Sequence, residues 1–531
     1  MWLIIFIIAL AILFYYTGIK PTKYWKDRGI PCIEPWPYVG NFAEIVFKTR
    51  AAQHVVDDVY CAFPERRYCG VYNFNIPALM LRDPELIKKI MVKEFDTFAQ
   101  HRSFIPEDVD PLWNKNMFAM KGGEKWQDMR STLSPTFTSS KMKMMFELMK
   151  DCSKQFSNYH LKQNNMVTIE IKDAFTRFAT DVIATTAFGI TCNSLEHKDN
   201  EFYLMGKKIS DFTGLRGLSF LIAAISPTLA KILRIPVFSP EAKLFFGNLV
   251  KETIQIREEK GIVRPDMIHL LMEAKKGSLE SKEQSNKAAD TGFPTVHKSE
   301  TGKVPKRQKT KISDEDITAQ CLGFFFAGFE SVSNMMCFAC YELALHPYVQ
   351  EILREEVDQT LTKCHGDFTY EALMGMKYLD MVVTESLRKW PPFPINDRES
   401  IRPFTIEAER PGEKPLYLPK GSVCIIPAYS IQRDPKYFPD PDKFDPERFN
   451  DENKGGINPF TFHSFGAGPR NCIGSRFALM EGKLIVAEII SKFEIVPVEK
   501  TQIPIEINTN SVTPIPTEGI WLGFKPRMRD I

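Results

Sequence analysis

Ten residues near the C-terminus, Phe465-Gly466-Ala467-Gly468-Pro469-Arg470-Asn471-Cys472-Ile473-Gly474, constrain this chain more than any other stretch. One cysteine is set in a bend of glycine and proline, with an arginine two residues before it. Glycines admit backbone angles and close approaches that a Cβ forbids, so a large flat ligand can lie against the main chain. Pro469 fixes one torsion and removes a competing donor. Phe477, Met480, Leu484 and Ala487 then recur at helical spacing, which predicts Cys472 at a helix N-terminus. There the helix dipole and free amides favour thiolate over thiol. A thiolate held with amide donors around its sulfur suits axial ligation of a haem iron. Arg470 suits a haem propionate, because a guanidinium binds a carboxylate bidentately.

This pattern resembles the haem-binding signature of the cytochrome P450 superfamily, matched at Phe465, Gly468, Arg470, Cys472 and Gly474. The resemblance implies a mainly α fold with a smaller β-rich lobe (the cytochrome P450 fold) and one N-terminal transmembrane helix. It implies haem b (iron protoporphyrin IX) as cofactor, with Cys472 the metal ligand and Phe465 and Gly466 beside the ring. Trp126 and Arg130 match the family's Trp-x-x-x-Arg element, and Arg398 stands at the offset of a propionate-binding arginine. With Arg470 these would bind the cofactor's carboxylates. His101 and Arg102 fall in what would be the loop above the haem, in the substrate or propionate neighbourhood.

A long helical pattern begins after Ser313-Asp314-Glu315-Asp316, an N-cap with acids in the first turn. Within it, Ala327 and Gly328 are small enough to let a macrocycle and a diatomic ligand approach closely. Glu330 and Ser331 follow, and with Cys472 downstream they resemble the family's oxygen-activation motif, implying catalytic proton relay. Serine stands where threonine is usual; it keeps the hydroxyl but lacks the methyl that restricts its rotamer. Glu385 and Arg388 match the family's Glu-x-x-Arg, with Arg448 of Pro446-Glu447-Arg448-Phe449 as third partner of a structural lock. Phe324, Ala327, Phe393, Ile395 and Val512 are the expected substrate-pocket residues. Cys337-x-x-Cys340 lies inside an apolar helix, where a structural role outweighs a redox one.

Residues Trp2–Ile19 are almost wholly apolar. Eighteen helical residues reach roughly 27 Å, enough for a thin bilayer. The stretch lacks a basic start and a small-residue cleavage site, so a retained anchor is expected rather than a signal peptide. Lys20, Lys23, Lys26 and Arg28 all follow the span, so the catalytic domain is expected in the cytosol, and the span's length suits the thin bilayer of the endoplasmic reticulum as the expected membrane. The expected organisation is an anchor over 1–20, a proline-rich hinge over 21–40 and a haem-thiolate catalytic domain over 41–531. Residues 275–311 read as a flexible polar loop within that domain. The apolar residues around Leu218–Ile225 read as core or as a membrane-dipping lid. Eleven cysteines without framework spacing suit reduced thiols, and a net charge of +2 points away from nucleic acid as a partner.

The implied activity is mono-oxygenation of a lipophilic substrate in contact with membrane lipid. No strand–GxGxxG–helix is present in the sequence, so electrons must come from a separate NADPH-cytochrome P450 reductase, with cytochrome b5 an optional second donor. Lys125, Lys436, Lys443 and Lys483 are the expected docking cations. Ser134-Pro135-Thr136-Phe137-Thr138 and the cysteine loop look closest to insect detoxifying family-nine members and their vertebrate drug-oxidising relatives. Foreign compounds such as plant toxins or insecticides are therefore the expected substrates. Oxidation of one endogenous lipid or hormone, a haem-thiolate isomerase or dehydratase, and a non-catalytic haem sensor stay open as alternatives.

Overall fold

The computed structural model describes residues 1–103, 105, 110–163, 165–211, 216–217, 222, 231–232, 238–276, 293, 312–511 and 513–527. Val512, most of 218–225 and nearly all of 275–311 lie outside them, so the expectations placed there are not addressed below.

The centre of the molecule is the helix Asp314–Leu345. Its start is fixed by a capping box: the Ser313 hydroxyl accepts from the Asp316 amide while Asp316 Oδ2 accepts from the Ser313 amide. Asp314, Glu315 and Asp316 fill the first turn, where carboxylates complement the helix dipole. Beyond that turn the sequence is apolar nearly all round, which suits a helix enclosed by others. Helices Ser139–Leu161, Ile171–Ile183, Lys377–Lys389 and Ser475–Lys492 surround it, and together they form one large apolar core.

The strands are few and short. β1 (Tyr68–Asn73) and β2 (Ile76–Leu81) form a hairpin. β7 (Val423–Ile426) pairs parallel to β2, and β4 (Asn396–Glu399) pairs antiparallel to β7. β3 (Val167–Glu170), β9 (Trp521–Pro526) and β8 (Phe493–Pro497) make a second sheet, and β5 (Phe404–Ile406) with β6 (Leu416–Leu418) a third. The first sheet has its own core, built from Trp25, Tyr72, Leu79, Met80, Ile425 and their neighbours. The architecture is thus mainly α with a smaller β lobe.

Among the described residues two helical stretches are long and apolar enough to cross a membrane: Trp2–Arg28 and Asp314–Leu345. The second is mostly buried in the core, so its apolar character is explained by packing. The first is 6% buried over its apolar window. It runs through α, π and 3-10 turns to Arg28, and Gly29 ends it in a left-handed conformation (φ 68°) that glycine adopts without strain. The segment after the span is bolted to the sheet. The Trp25 indole lies so close over Gly70 that a Cβ there would sit 2.4 Å from it. Trp25 also donates from its amide to Tyr72 Oη (2.9 Å) and from Nε1 to the Val71 carbonyl (3.2 Å).

Candidate active site

The cysteine loop is shaped by its glycines. Gly468 (φ 74°) lies against the Met91 carbonyl, where a Cβ would stand only 1.9 Å away, so no side chain fits. The Cys472 amide donates to the Phe465 carbonyl (2.9 Å) and the Gly466 amide to the His463 carbonyl (3.0 Å), closing the bend. The following helix begins at Ser475 with Gly474 as N-cap, so Cys472 precedes the helix instead of opening it. Its environment is unusual for this molecule. Most of the other cysteines are buried, whereas Cys472 is exposed although the helix behind it is core.

The second half of the expected site is one face of the long helix. Ala327 is exposed halfway along a helix that is otherwise mostly covered. Phe324 and Ser331 lie three residues before and four after it, on the same face. Phe137 forms a shared wall: its ring is 5.6 Å from that of Phe324, and its edge is 3.9 Å from where a Cβ of Gly474 would be. Phe137 therefore touches both the helix face and the cysteine loop. Gly328 does not contribute to that helix face. The space its missing side chain leaves is taken by Ile183, 3.0 Å from the Cβ position, so the expectation that it admits a flat ligand is replaced by a helix-packing role.

Ser331 Oγ donates to the Ala327 carbonyl one turn back. Glu330 points toward helix Ile171–Ile183, with Oε1 3.0 Å from Lys172 Nζ. Lys172 also donates to Ser333 Oγ (2.7 Å), which fixes the ammonium between the two helices.

Beside the loop, four of the expected cofactor residues come together. Trp126 is buried, donates to the Met117 carbonyl (3.2 Å) and carries the Arg470 guanidinium on its ring at 4.6 Å. Arg470 Nε donates to the Ala99 carbonyl (2.7 Å). Arg130 donates to the carbonyl and Oδ1 of Asn471 (3.0 and 2.9 Å). Arg398 donates to the Ala467 carbonyl (3.1 Å), while its Nε is buried without a partner. Burial pulls Arg130 and Arg398 down to about 10. Burial, together with the neighbouring Arg398 and Arg130, pulls Arg470 down to about 9. Asp397 is the carboxylate whose charge acts on Arg398 and Arg470. Burial would raise it, but His101 (Nδ1 to Oδ1, 2.9 Å), the Arg102 amide (2.7 Å) and Arg398 hold it below its ordinary value. Buried guanidiniums this short of counter-charge fit a ligand that brings its own carboxylates.

The lock residues also meet. Arg388 grips Glu385 with Nε and Nη2 (2.7 and 2.9 Å), and both side chains are fully buried. Arg448 Nε is 3.4 Å from Glu385 Oε1, and the Asp445 amide donates to the same oxygen (3.0 Å). Arg388 further donates to the carbonyls of Gln432 and Pro441 (2.8 and 2.7 Å), tying the helix to the segment before the cysteine loop.

Other expectations fare differently. Phe393 is 43% exposed, and Ile395 packs against the core of the first sheet. Cys337 and Cys340 are buried and burial pushes both thiols up, as expected of inert core cysteines. Lys483 is not a docking cation: it is fully buried, with Nζ 2.6 Å from Asp380 Oδ1. It lies on the closing helix among apolar neighbours, and an exposed lysine cannot be told from a buried paired one by sequence. Lys125 and Lys436 are exposed; Lys443 is exposed but paired with Asp445 at 3.1 Å. Phe137, Asn471, Asp397 and Lys172 were not singled out for the site. Their partners are distant in sequence, so no local pattern marks them.

An open thiol ringed by carboxylate-seeking guanidiniums is what a haem held by a thiolate asks of its protein. Comparison with known proteins agrees: the sequence matches Cytochrome P450 over residues 30–522. The chain belongs to the cytochrome P450 family, and it is a monooxygenase carrying haem b. It is 42% identical to Cytochrome P450 9e2 of Blattella germanica, over 99% of this chain and 98% of that relative. It is 41% identical to Probable cytochrome P450 9f2 of Drosophila melanogaster, over 98% of each, and 36% identical to Cytochrome P450 6k1 of Blattella germanica, over 98% of this chain and 96% of the other.

Proposed function

We propose that this monooxygenase inserts one oxygen atom from O2 into lipophilic foreign compounds, drawing electrons from NADPH through a separate reductase at the endoplasmic reticulum. The observation that carries the site assignment is the cluster of Arg130 with the buried Arg398 and Arg470 around the loop of Cys472. Haem b, when bound, supplies the oxygen-activating iron. Cys472 Sγ is the residue to hold that iron, and Trp126, Arg130, Arg398 and Arg470 are those to hold the carboxylates. Phe465 and Gly466 line the same loop. The uncovered face of Phe324 and Ala327, walled by Phe137, orients an apolar substrate and excludes water from it.

Protons follow the long helix. Ser331 Oγ, donating to the Ala327 carbonyl, is the hydroxyl nearest the opening on that face. Glu330, one residue before Ser331 and ion-paired with Lys172 at 3.0 Å, is the carboxylate that joins this hydroxyl in the relay. The detoxifying reading is supported by resemblance to insect detoxifying members and by the aromatic lining. The cytosolic placement is supported by the basic residues that follow the apolar helix, and Lys125 and Lys436 are the exposed cations for reductase docking.

The test is a reconstituted assay with NADPH-dependent reductase and a panel of lipophiles, following NADPH loss and product. Turnover of several unrelated compounds is expected; one accepted steroid or fatty acid would instead mark an endogenous role. Product formed without NADPH would mark an isomerase. The reduced, carbon monoxide-treated protein should show the red-shifted Soret band of thiolate ligation, and Cys472→Ala should abolish it together with turnover.

A further inference from the structure

Residues 115–120 follow a short helix, Pro111–Asn114, and run through turns and bends with no regular element of their own. Their main chain is nonetheless tied on two sides by side chains from distant parts of the sequence. On one side stands Gln320 of the long helix, set in the apolar run Ala319-Gln320-Cys321-Leu322 and only 1% exposed. Its Oε1 accepts from the Met117 amide (2.9 Å), and its Nε2 donates to the Lys115 carbonyl (2.8 Å). Both ends of this buried amide are thereby satisfied, where either end left open would be costly. Gly323, almost one turn further on, lets the segment lie close: a Cβ there would stand 3.1 Å from that of Asn116.

On the other side are two residues of the carboxylate-binding cluster. Trp126 Nε1 donates to the Met117 carbonyl (3.2 Å), so Gln320 holds the amide of Met117 and Trp126 its carbonyl. Arg470 Nη1 and Nη2 donate to the carbonyls of Phe118 (3.4 Å) and Met120 (2.5 Å). The segment is thus a bridge with the long helix at one end and the Arg470 guanidinium at the other. Gln320 also shares a helix face with Phe324, Ala327 and Ser331, by their spacing along the helix.

We propose that Gln320 is a positioning residue for the cofactor's carboxylates: by clamping residues 115–117 to the long helix, it holds Trp126 and Arg470 where a carboxylate is received. The inference deepens the site assignment above and rests on it. A turn segment without a ladder of its own keeps much of its conformational freedom unless side chains fix it. The carbonyls that orient Arg470 would share that freedom, and bidentate pairing of a guanidinium with a carboxylate is directional. Gln320 removes it with one side chain, and in doing so ties the Phe324–Ala327 face to the carboxylate-binding end of the site.

The experiment uses the full-length, haem-loaded protein and reads haem transfer to an apo-acceptor protein alongside backbone hydrogen exchange over residues 115–120. In the wild type the Met117 amide should exchange roughly tenfold more slowly than an unprotected turn amide. Gln320→Met keeps the length of the side chain and removes both hydrogen bonds. It should free the Met117 amide and speed haem transfer roughly three- to tenfold. Combined with Arg470→Leu it should add little to the effect of Arg470→Leu alone, because both changes act through one contact. Thr318→Val removes a hydroxyl that donates to the Asp314 carbonyl (2.9 Å) on the same helix, and should change neither reading. If Gln320→Met does not fold, Gln320→Glu keeps the acceptor, loses the donor and should show the same pattern to a smaller extent. Arg470→Leu holding haem as firmly as the wild type would overturn the cluster assignment and this inference with it. Faster transfer in Arg470→Leu, but none from the Gln320 variants, would overturn the role of Gln320 alone. So would single effects that multiply in the double variant, or a Met117 amide unprotected in the wild type.

Discussion

Cys472, Arg470 and His160 show how one side chain can be read for what it does. The thiol is open where most of the molecule's other cysteines are sealed, in a loop whose Gly468 packs flat on the Met91 carbonyl. Arg470 has its guanidinium on Trp126 and beside the buried Arg398 and the partly buried Arg130, a cost the fold carries until an anion arrives. Replacing Arg470 with leucine should speed haem transfer to an apo-acceptor protein roughly ten- to a hundredfold, from losing a charge-assisted hydrogen bond of ~1.5–3 kcal/mol. His160 gives a pH prediction. Burial pushes its imidazole down to about 4, and neither ring nitrogen has a partner. The unfolded chain, with an ordinary imidazole, binds the proton more readily, so stability is full above pH 6.5 and falls as pH drops toward 4. The loss approaches ~3 kcal/mol at the lower end. His160→Phe should flatten that slope in denaturant titrations between pH 6.5 and 4, whatever it does at pH 7.

At the scale of elements, the lock ties Lys377–Lys389 to the segment that leads into the cysteine loop. Glu385 serves Arg388, Arg448 and the Asp445 amide at once, so Glu385→Gln leaves two guanidiniums facing a neutral amide. A cost of about 3–5 kcal/mol is expected, seen as a lower denaturation midpoint. The long helix makes a milder case. Ser313→Ala removes one half of its capping box and should cost ~1 kcal/mol by the same measurement. Lys172 joins two helices at the point where Glu330 sits. Lys172→Met should change the pH profile and solvent isotope effect of turnover more than substrate affinity, whereas a purely structural role would move neither.

The whole molecule is organised by what it does with its ends. The N-terminal helix is not a tether on a free joint, because Trp25 belongs to the core of the first sheet. A chain lacking residues 2–19 should keep that core. One lacking residues 2–28 should lose about as much stability as a buried Trp→Ala change, ~3–5 kcal/mol, and melt several degrees lower. The site itself is assembled from distant stretches: Trp126, Arg398 and Arg470 come from a helix, a strand and a loop.

The short-range features were legible in the residues alone. The glycine-bounded cysteine, the cap of the long helix, the spacing of Glu385 and Arg388 and the apolar run at the N-terminus are set by neighbours within a few positions, where backbone sterics and helix periodicity act. Resemblance carried the roles of Trp126, Arg130, Arg398 and Arg448, which no local pattern assigns. Only the tertiary structure decided which charges are buried with partners. Lys483 is identical to Lys436 as a letter, yet one is sealed against Asp380 and the other faces water. It likewise decided that Gly328 serves Ile183 and that Glu330 is held by Lys172. Desolvation and long-range pairing depend on what the rest of the chain brings alongside, and that is fixed only when the helices pack.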